Sequence, residues 1–323
     1  MNIASLISKK PKILVVGDFI LDQYYWTNVT RISPEAPVPV CHIQETTHSL
    51  GGAGNVAHNL SVFGTEVHLA GVIGNDENGT RLCERFNDLG MNIDLLIKSD
   101  DYPTICKTRV MAKGQQLCRL DFEDPKVEID KHLNSIMKIV NNSNISNFDG
   151  IALSDYNKGT LTPNLCQALI QLGNQHQIPI IIDPKGHDAT KYFGATYITP
   201  NIKEFMDLTG LNSILDETEV IESGQQLMQQ NKINNIIFTR SESGITLMAN
   251  NQIKNYPTKV IRVSDVTGAG DTVVAAVAFG ASQQWSIDQI INFANLAAGV
   301  VVSKVGTATA SITEIETHGT HFQ

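Results

Sequence analysis

The chain has 323 residues, of which 42% are hydrophobic and 18% charged, proportions that fit a soluble globular protein and exclude a disordered or fibrous one. Its 24 basic and 33 acidic residues leave a formal charge of −9, and no run of Lys or Arg could track a phosphate backbone, so nucleic acid is excluded as an expected partner. Length alone leaves one large α/β unit or two domains open. The N-terminal stretch lacks the ordered charges and apolar core of a secretory signal, and no apolar run reaches membrane-spanning length. A cytoplasmic protein without a membrane partner is therefore expected. Cys41, Cys83, Cys106, Cys118 and Cys166 form no C-x-x-C pair and no even framework, so reduced, structural thiols are expected.

In chain order, apolar runs rich in Ile and Val occur at Ile13–Val16, Val67–Ala70, Ile151–Leu153, Ile178–Ile182, Thr196–Ile198 and Ile236–Phe238. Such continuous runs are what strands buried on both faces look like. Helical spacing fills Asn55–Phe63, Gly79–Leu89, Lys131–Val140, Asn164–His176 and Glu219–Gln230. Strand followed by helix, repeated, predicts an α/β fold with a mainly parallel sheet wrapped by helices. Two stretches break the rhythm: Asp22–Thr47, with Pro34, Pro37 and Pro39, and Thr104–Phe122, where polar and apolar residues alternate. Both read as antiparallel strands outside the main sheet, forming a small lid over one edge.

The densest chemistry lies at Asp265-Val266-Thr267-Gly268-Ala269-Gly270-Asp271, just before the small-residue helix Val273–Ala278. Glycines at a helix start let backbone N–H groups converge on an anion, and the helix dipole favours negative charge there. A carboxylate at Asp271 is an odd neighbour for a phosphate unless it takes a proton from an attacking hydroxyl, and that pairing suits phosphoryl transfer. The plain alternative is a glycine turn with Asp271 as a capping carboxylate. No G-x-x-x-x-G-K-[ST] occurs, and Gly268-Ala269-Gly270 lacks the third glycine of the dinucleotide fingerprint. Upstream, Gly51-Gly52-Ala53-Gly54-Asn55 opens a helix, while Asp18 and Asp22 follow the first strand. Loops at the carboxyl ends of parallel strands share one rim, so these elements can meet the Asp271 turn. There Gly51, Gly52, Asp22 and Asn55 could bind a polyhydroxyl ligand, although a tight turn capped by Asn55 fits equally.

Together, Gly51–Asn55, Asn201-Ile202-Lys203-Glu204 and Asp265–Asp271 resemble the ribokinase, or carbohydrate kinase, family over nearly the whole chain. Arg31–Val40, Leu153–Gly159 and Ile182–Gly186 sharpen this to a resemblance with the kinase half of the bacterial bifunctional heptose kinase and adenylyltransferase. The resemblance implies a three-layer α/β/α sandwich spanning 1–323 as a single kinase domain, with lid strands at about 22–47 and 104–122. It also implies ATP and Mg²⁺ as cofactors, and a heptose 7-phosphate receiving phosphate on its anomeric O1, on the route to lipopolysaccharide. Another sugar kinase, or a binding protein that has kept the fold without turnover, are the alternatives. No nucleotidyltransferase domain is expected: His318-Gly319-Thr320-His321 has the wrong order for its H-x-G-H signature and reads as a tail, leaving adenylyl transfer to a separate protein.

Position by position, the resemblance makes Asp271 the base and Gly268, Ala269 and Gly270 the anion hole. Asn201 and Glu204 become the organisers of Mg²⁺ and its waters, within the cofactor-binding element Asn201-Ile202-Lys203-Glu204; a capping box is their plain alternative. Thr239, Arg240, Ser241 and Gly244 resemble the loop at the nucleotide phosphates, and Asn295 with Ala298 stands at the adenine wall. Arg109, Arg119, Lys158 and Lys185 are the candidate cations for the sugar's own phosphate. Exposed lid strands invite pairing of two copies, so a homodimer is expected.

Overall fold

The computed structural model describes residues 3–124, 136–137, 145–249, 252–260 and 262–322. The expected helix at Lys131–Val140 lies outside the described residues except for 136–137.

The strands are Lys12–Gly17 (β1), Phe19–Ile32 (β2), Pro39–Gly52 (β3), Glu66–Gly74 (β4), Asn92–Ser99 (β5), Ile105–Ala112 (β6), Gln115–Phe122 (β7), Gly150–Ser154 (β8), Ile180–Asp183 (β9), Tyr197–Ile198 (β10), Asn235–Thr239 (β11), Ile245–Ala249 (β12) and Gln252–Tyr256 (β13). Nine of them form one sheet in the order β13-β12-β11-β10-β9-β8-β1-β4-β5. It is parallel from β5 to β11, and β12 and β13 close one edge antiparallel. Each strand predicted for the main sheet corresponds to one of these.

Strand β1 shows why its sequence runs apolar without alternation. Ile13 and Val15 face a core filled by the helices Ala53–Val62, Ala269–Ser282 and Ile287–Val301. Leu14 and Val16 face a second core built with Pro163–Gln175, Ile202–Thr209 and Glu217–Asn231. Helices thus cover both faces, and the result is the expected α/β/α layering.

The remaining strands form the lid, in the order β3-β2-β6-β7. Two expectations need correction. The hairpin β2–β3 is longer than 22–47, pairing from Phe19 with Gly52 onward. The join between the two insertions is parallel, β2 to β6, and only β2–β3 and β6–β7 are antiparallel. Both β2 and β6 leave the carboxyl rim of the main sheet, after β1 and β5, and so run outward in the same direction. Near the C terminus, His318 to Thr320 belong to the helix Ile312–Thr320 rather than to a loose tail. Its start carries a capping box between Ser311 and Glu314, and His318 Nε2 lies 2.6 Å from the Lys259 carbonyl. All five cysteines are free. No helix among the described residues is long and apolar enough to cross a membrane.

Candidate active site

The Asp265–Asp271 turn is tied by its own first residue. Asp265 Oδ1 accepts from the Thr267 N–H at 2.9 Å and from its hydroxyl at 2.7 Å, and Oδ2 accepts from the Gly306 N–H at 2.9 Å. Gly268 then takes a left-handed φ of 79° as N-cap of the Ala269–Ser282 helix. A Cβ there would lie 2.6 Å from Asn55 Nδ2, so glycine is required by conformation and by space. At Gly270 the opposite holds: a Cβ would meet nothing within 4 Å. The helix start therefore opens onto free space lined by backbone, as an anion-binding turn must.

Asp271 follows in the first helical turn, 5% exposed. One carboxylate oxygen accepts from Asn55 Nδ2 at 2.7 Å, the other from the Tyr156 hydroxyl at 2.8 Å. Burial pushes its pKa from 3.8 up to about 6; the two hydrogen bonds work against that rise, and the nearby Asp22 and Glu204 add to it. A carboxylate so poised is ionised at neutral pH yet basic enough to take a proton. Tyr156, on the loop after β8, is a contact that the sequence pattern did not single out. Its hydroxyl is held protonated by burial and by the Asp271 charge, and therefore acts as a donor.

Asn55 and the glycines before it reach the site as expected. Gly52 adopts φ 57° at the start of the Ala53–Val62 helix, and a Cβ on Gly51 would lie 2.4 Å from Asp22 Oδ2. Asp22 pairs with Arg109, whose guanidinium lies over the Tyr24 ring at 5.3 Å. Strand register puts Lys107 beside Asp22 on β2 and Asp121 on β7, and Arg109 beside Tyr24 and Arg119. One lid face thus gathers Lys107, Arg109 and Arg119. Lys107 was legible in the alternation Lys107-Thr108-Arg109, which sets both cations on one face. It sits over the Tyr156 ring at 5.8 Å, and burial lowers its pKa. Arg119 is gripped by Asp121 through two bonds of 2.7 and 2.8 Å, and Lys158 pairs with Glu123 at 2.7 Å.

Lys185 lies elsewhere. Its ammonium pairs with Glu204 Oε1 at 2.8 Å, which places it with the Asn201–Glu204 element. That element is a true capping box: Asn201 Oδ1 accepts from the Glu204 N–H, and Glu204 Oε2 from the Asn201 N–H, each at 3.0 Å. Asp183, at the end of β9, is half-buried at the rim. Desolvation raises its pKa, and the facing carboxylates of Glu204 and Asp271 raise it further. A divalent cation beside Glu204 and Asp183 would offset the repulsion between their charges. Among the described residues no three His, Cys, Asp or Glu side chains are grouped so as to hold a metal ion, so a cation here would rely on water and on the nucleotide phosphates for most of its ligands. Ile202 packs against the core, and Lys203 is exposed.

The expected nucleotide loop follows β11. Arg240 donates to Glu217 at 2.8 Å, Ser241 has φ 49°, and Gly244 has φ 86°. Thr239 bridges Asn201 across parallel backbone, joining this loop to the capping-box element. Asn295 is buried and donates to the Pro257 carbonyl at 2.7 Å, while Ala298 is half-buried on the same helix.

A fold with its loops gathered on one strand-end rim, a buried carboxylate of raised pKa and an open helix start is an arrangement suited to phosphoryl transfer. The pfkB family carbohydrate kinase profile matches residues 10–314, and the chain belongs to that family. It is a phosphotransferase acting on a sugar hydroxyl, and the family implies ATP binding. Among curated relatives, the bifunctional protein HldE of Sulfurimonas denitrificans is 44% identical over 313 residues. That alignment covers 96% of this chain and 65% of the relative. HldE of Pasteurella multocida is 42% identical, covering 95% and 63%. The chain thus spans just under two-thirds of the length of these relatives. Solved structures share the fold: Arabidopsis thaliana ribokinase complexed with ribose and ATP (TM-score 0.75, 18% identity, 96% of this chain and 99% of that one) and Escherichia coli phosphofructokinase-2 in complex with potassium (TM-score 0.78, 18% identity, 97% and 99%).

Proposed function

We propose that this chain transfers the γ-phosphoryl group of ATP to the anomeric O1 of D-glycero-β-D-manno-heptose 7-phosphate, giving the 1,7-bisphosphate used for ADP-heptose and the lipopolysaccharide inner core. The observation that carries this reading is the lid face. Lys107, Arg109 and Arg119 share one face with Asp22 and Asp121, cations that a phosphate on the acceptor could draw from the carboxylates they now pair with. The similarity to HldE proteins supports the same substrate class.

In this reading Asp22, Asn55 and the backbone at Gly51 and Gly52 orient the sugar. Asp271 takes the O1 proton as that oxygen bonds to the γ-phosphorus and the bond to the ADP oxygen breaks. The N–H groups at Gly268, Ala269 and Gly270 receive the charge that spreads over the transferred group. Mg²⁺, held through Asn201, Glu204 and the neighbouring Asp183, would neutralise the ATP phosphates when bound. Thr239, Arg240, Ser241 and Gly244 serve the nucleotide phosphates, and Asn295 with Ala298 the adenine. Arg109, Arg119 and Lys158, joined by Lys107, take the 7-phosphate, while Lys185 serves the ATP side.

The same reading makes 1–323 one kinase domain acting in the cytoplasm. Its homodimer would form through the lid, where β7 is exposed at every position, including Phe122 at 57%. The test is ATP consumption over a panel of sugars with and without a terminal phosphate, resolved by anomer. Turnover confined to the β-anomer of the 7-phosphate is expected. Equal turnover of the unphosphorylated heptose would overturn the role of the lid cations, and preference for another sugar phosphate would establish the alternative substrate.

A further inference from the structure

Asp18 lies between β1 and β2 with no exposed surface, and the reaction above makes no use of its carboxylate. Three backbone N–H groups point into it. Those of Tyr156 and Lys158 donate to Oδ2 at 3.0 Å each, and that of Thr160 donates to Oδ1 at 3.1 Å. Its main chain is committed too. The Asp18 N–H donates to the Ser154 carbonyl at 3.3 Å, and the Asp18 carbonyl accepts from the Ala53 N–H at 3.1 Å. A Cβ on Gly52 would lie 2.5 Å from that same carbonyl. One residue therefore ties the end of β1 to the loop after β8 and to the first turn of the Ala53–Val62 helix. These two segments supply both donors to Asp271, namely the Tyr156 hydroxyl and the Asn55 amide.

We propose that Asp18 is a positioning residue of the phosphotransferase site: its carboxylate fixes the 156–160 turn and its carbonyl fixes the helix start, so that Tyr156 and Asn55 clasp Asp271 before substrate arrives. The turn needs such a clamp. Asn157 and Gly159 both take positive φ, 55° and 106°, which is uncommon for Asn and which glycine samples no more readily than negative φ, so contacts from outside the turn select it. Bonds from N–H groups to a buried carboxylate are charge-assisted and strong where water is absent. Burial raises the Asp18 pKa, the Lys158 and Thr160 bonds oppose that rise, and the Asp155 charge adds to it. Tyr102 and Cys166 face the same carboxylate and have their own pKa values raised chiefly by burial. Around Asp271 the groups that set its titration are Asn55, Tyr156, Asp22, Asp183 and Glu204.

The inference rests on Asp271 as the base, and the experiment separates the two claims. Steady-state kinetics of Asp18→Asn, Tyr156→Phe and the double variant are measured across the pH range of the Asp271 titration. A hydrogen bond lost to Asp271 raises its pKa, so each single variant should move the acidic limb of kcat up by about one pH unit, with the KM for ATP unchanged. Tyr156→Phe made on top of Asp18→Asn should add little. A limb that stays at the wild-type pH in Asp18→Asn, or shifts that add fully, would overturn the proposal. If Asp18→Asn does not fold, Asp18→Ser, which shortens the acceptor away from the 156–160 turn, takes its place: a limb moved as in Tyr156→Phe supports the clasp, and an unmoved limb refutes it. Full turnover by Asp271→Asn would instead refute the base on which the inference rests.

Discussion

Replacing Asp271 by Asn should make the protein more stable relative to wild type as pH rises, while abolishing turnover. The folded-state pKa of about 6 stands above the ordinary 3.8 because burial outweighs two hydrogen bonds. Between those values the native state holds a proton that the unfolded chain has released, so stability falls as pH rises through the window. The rise corresponds to about 3 kcal/mol, lost in full above the folded-state pKa. The carboxamide of the variant keeps the side-chain shape without the titration. It turns an NH₂ toward one of the donors, Asn55 or Tyr156, at a cost of about 1–3 kcal/mol that does not vary with pH. Removing the charge also makes the neighbouring Asp183 easier to ionise, which works in the same direction. Urea unfolding at a series of pH values should show the difference between variant and wild type growing by about 3 kcal/mol from acid to neutral pH. Turnover should fall by about 10²–10⁴-fold. A stability difference constant across pH would refute the buried, poised carboxylate, and retention of a tenth of wild-type turnover would refute the base.

Gly270→Ala tests the anion hole: its Cβ meets nothing within 4 Å, so thermal stability should be kept or raised by about 0.5–1 kcal/mol while kcat/KM for ATP collapses. An active Gly270→Ala enzyme would place the transferred phosphate elsewhere. Gly51→Ala sets a Cβ 2.4 Å from Asp22 Oδ2 and should displace Asp22 from Arg109, raising the KM for the sugar and sparing that for ATP; equal effects on both would remove Asp22 from sugar binding. Glu204→Gln keeps the cap acceptor but removes the charge paired with Lys185. Titration of activity with Mg²⁺ should then show half-saturation at a higher concentration, and an unchanged midpoint would leave Glu204 with capping alone.

The strands of the main sheet were legible because a buried parallel strand is apolar on both faces, as Ile13–Val16 is. The glycine turn before Asp271 was legible for a related reason: the left-handed φ of Gly268 and its close approach to Asn55 together call for a residue without a side chain. The lid was legible as strands but not as a sheet. Alternation along β2 and β6 tells which residues share a face, and it carries no information about whether the two strands run parallel.

Read without its fold, the chain already displays the chemistry available along the rim: a carboxylate after a glycine turn, a capping box and a set of cations on alternating strands. Which of these groups meet is a property of the folded molecule. Tyr156 and Asn55 are far from Asp271 in sequence and bind its two oxygens; Lys185 turns to Glu204, and Lys107 joins Arg109 and Arg119. The cause is the parallel sheet, which carries every strand's carboxyl end to one rim. Proximity there is set by strand order and register, which local sequence does not encode.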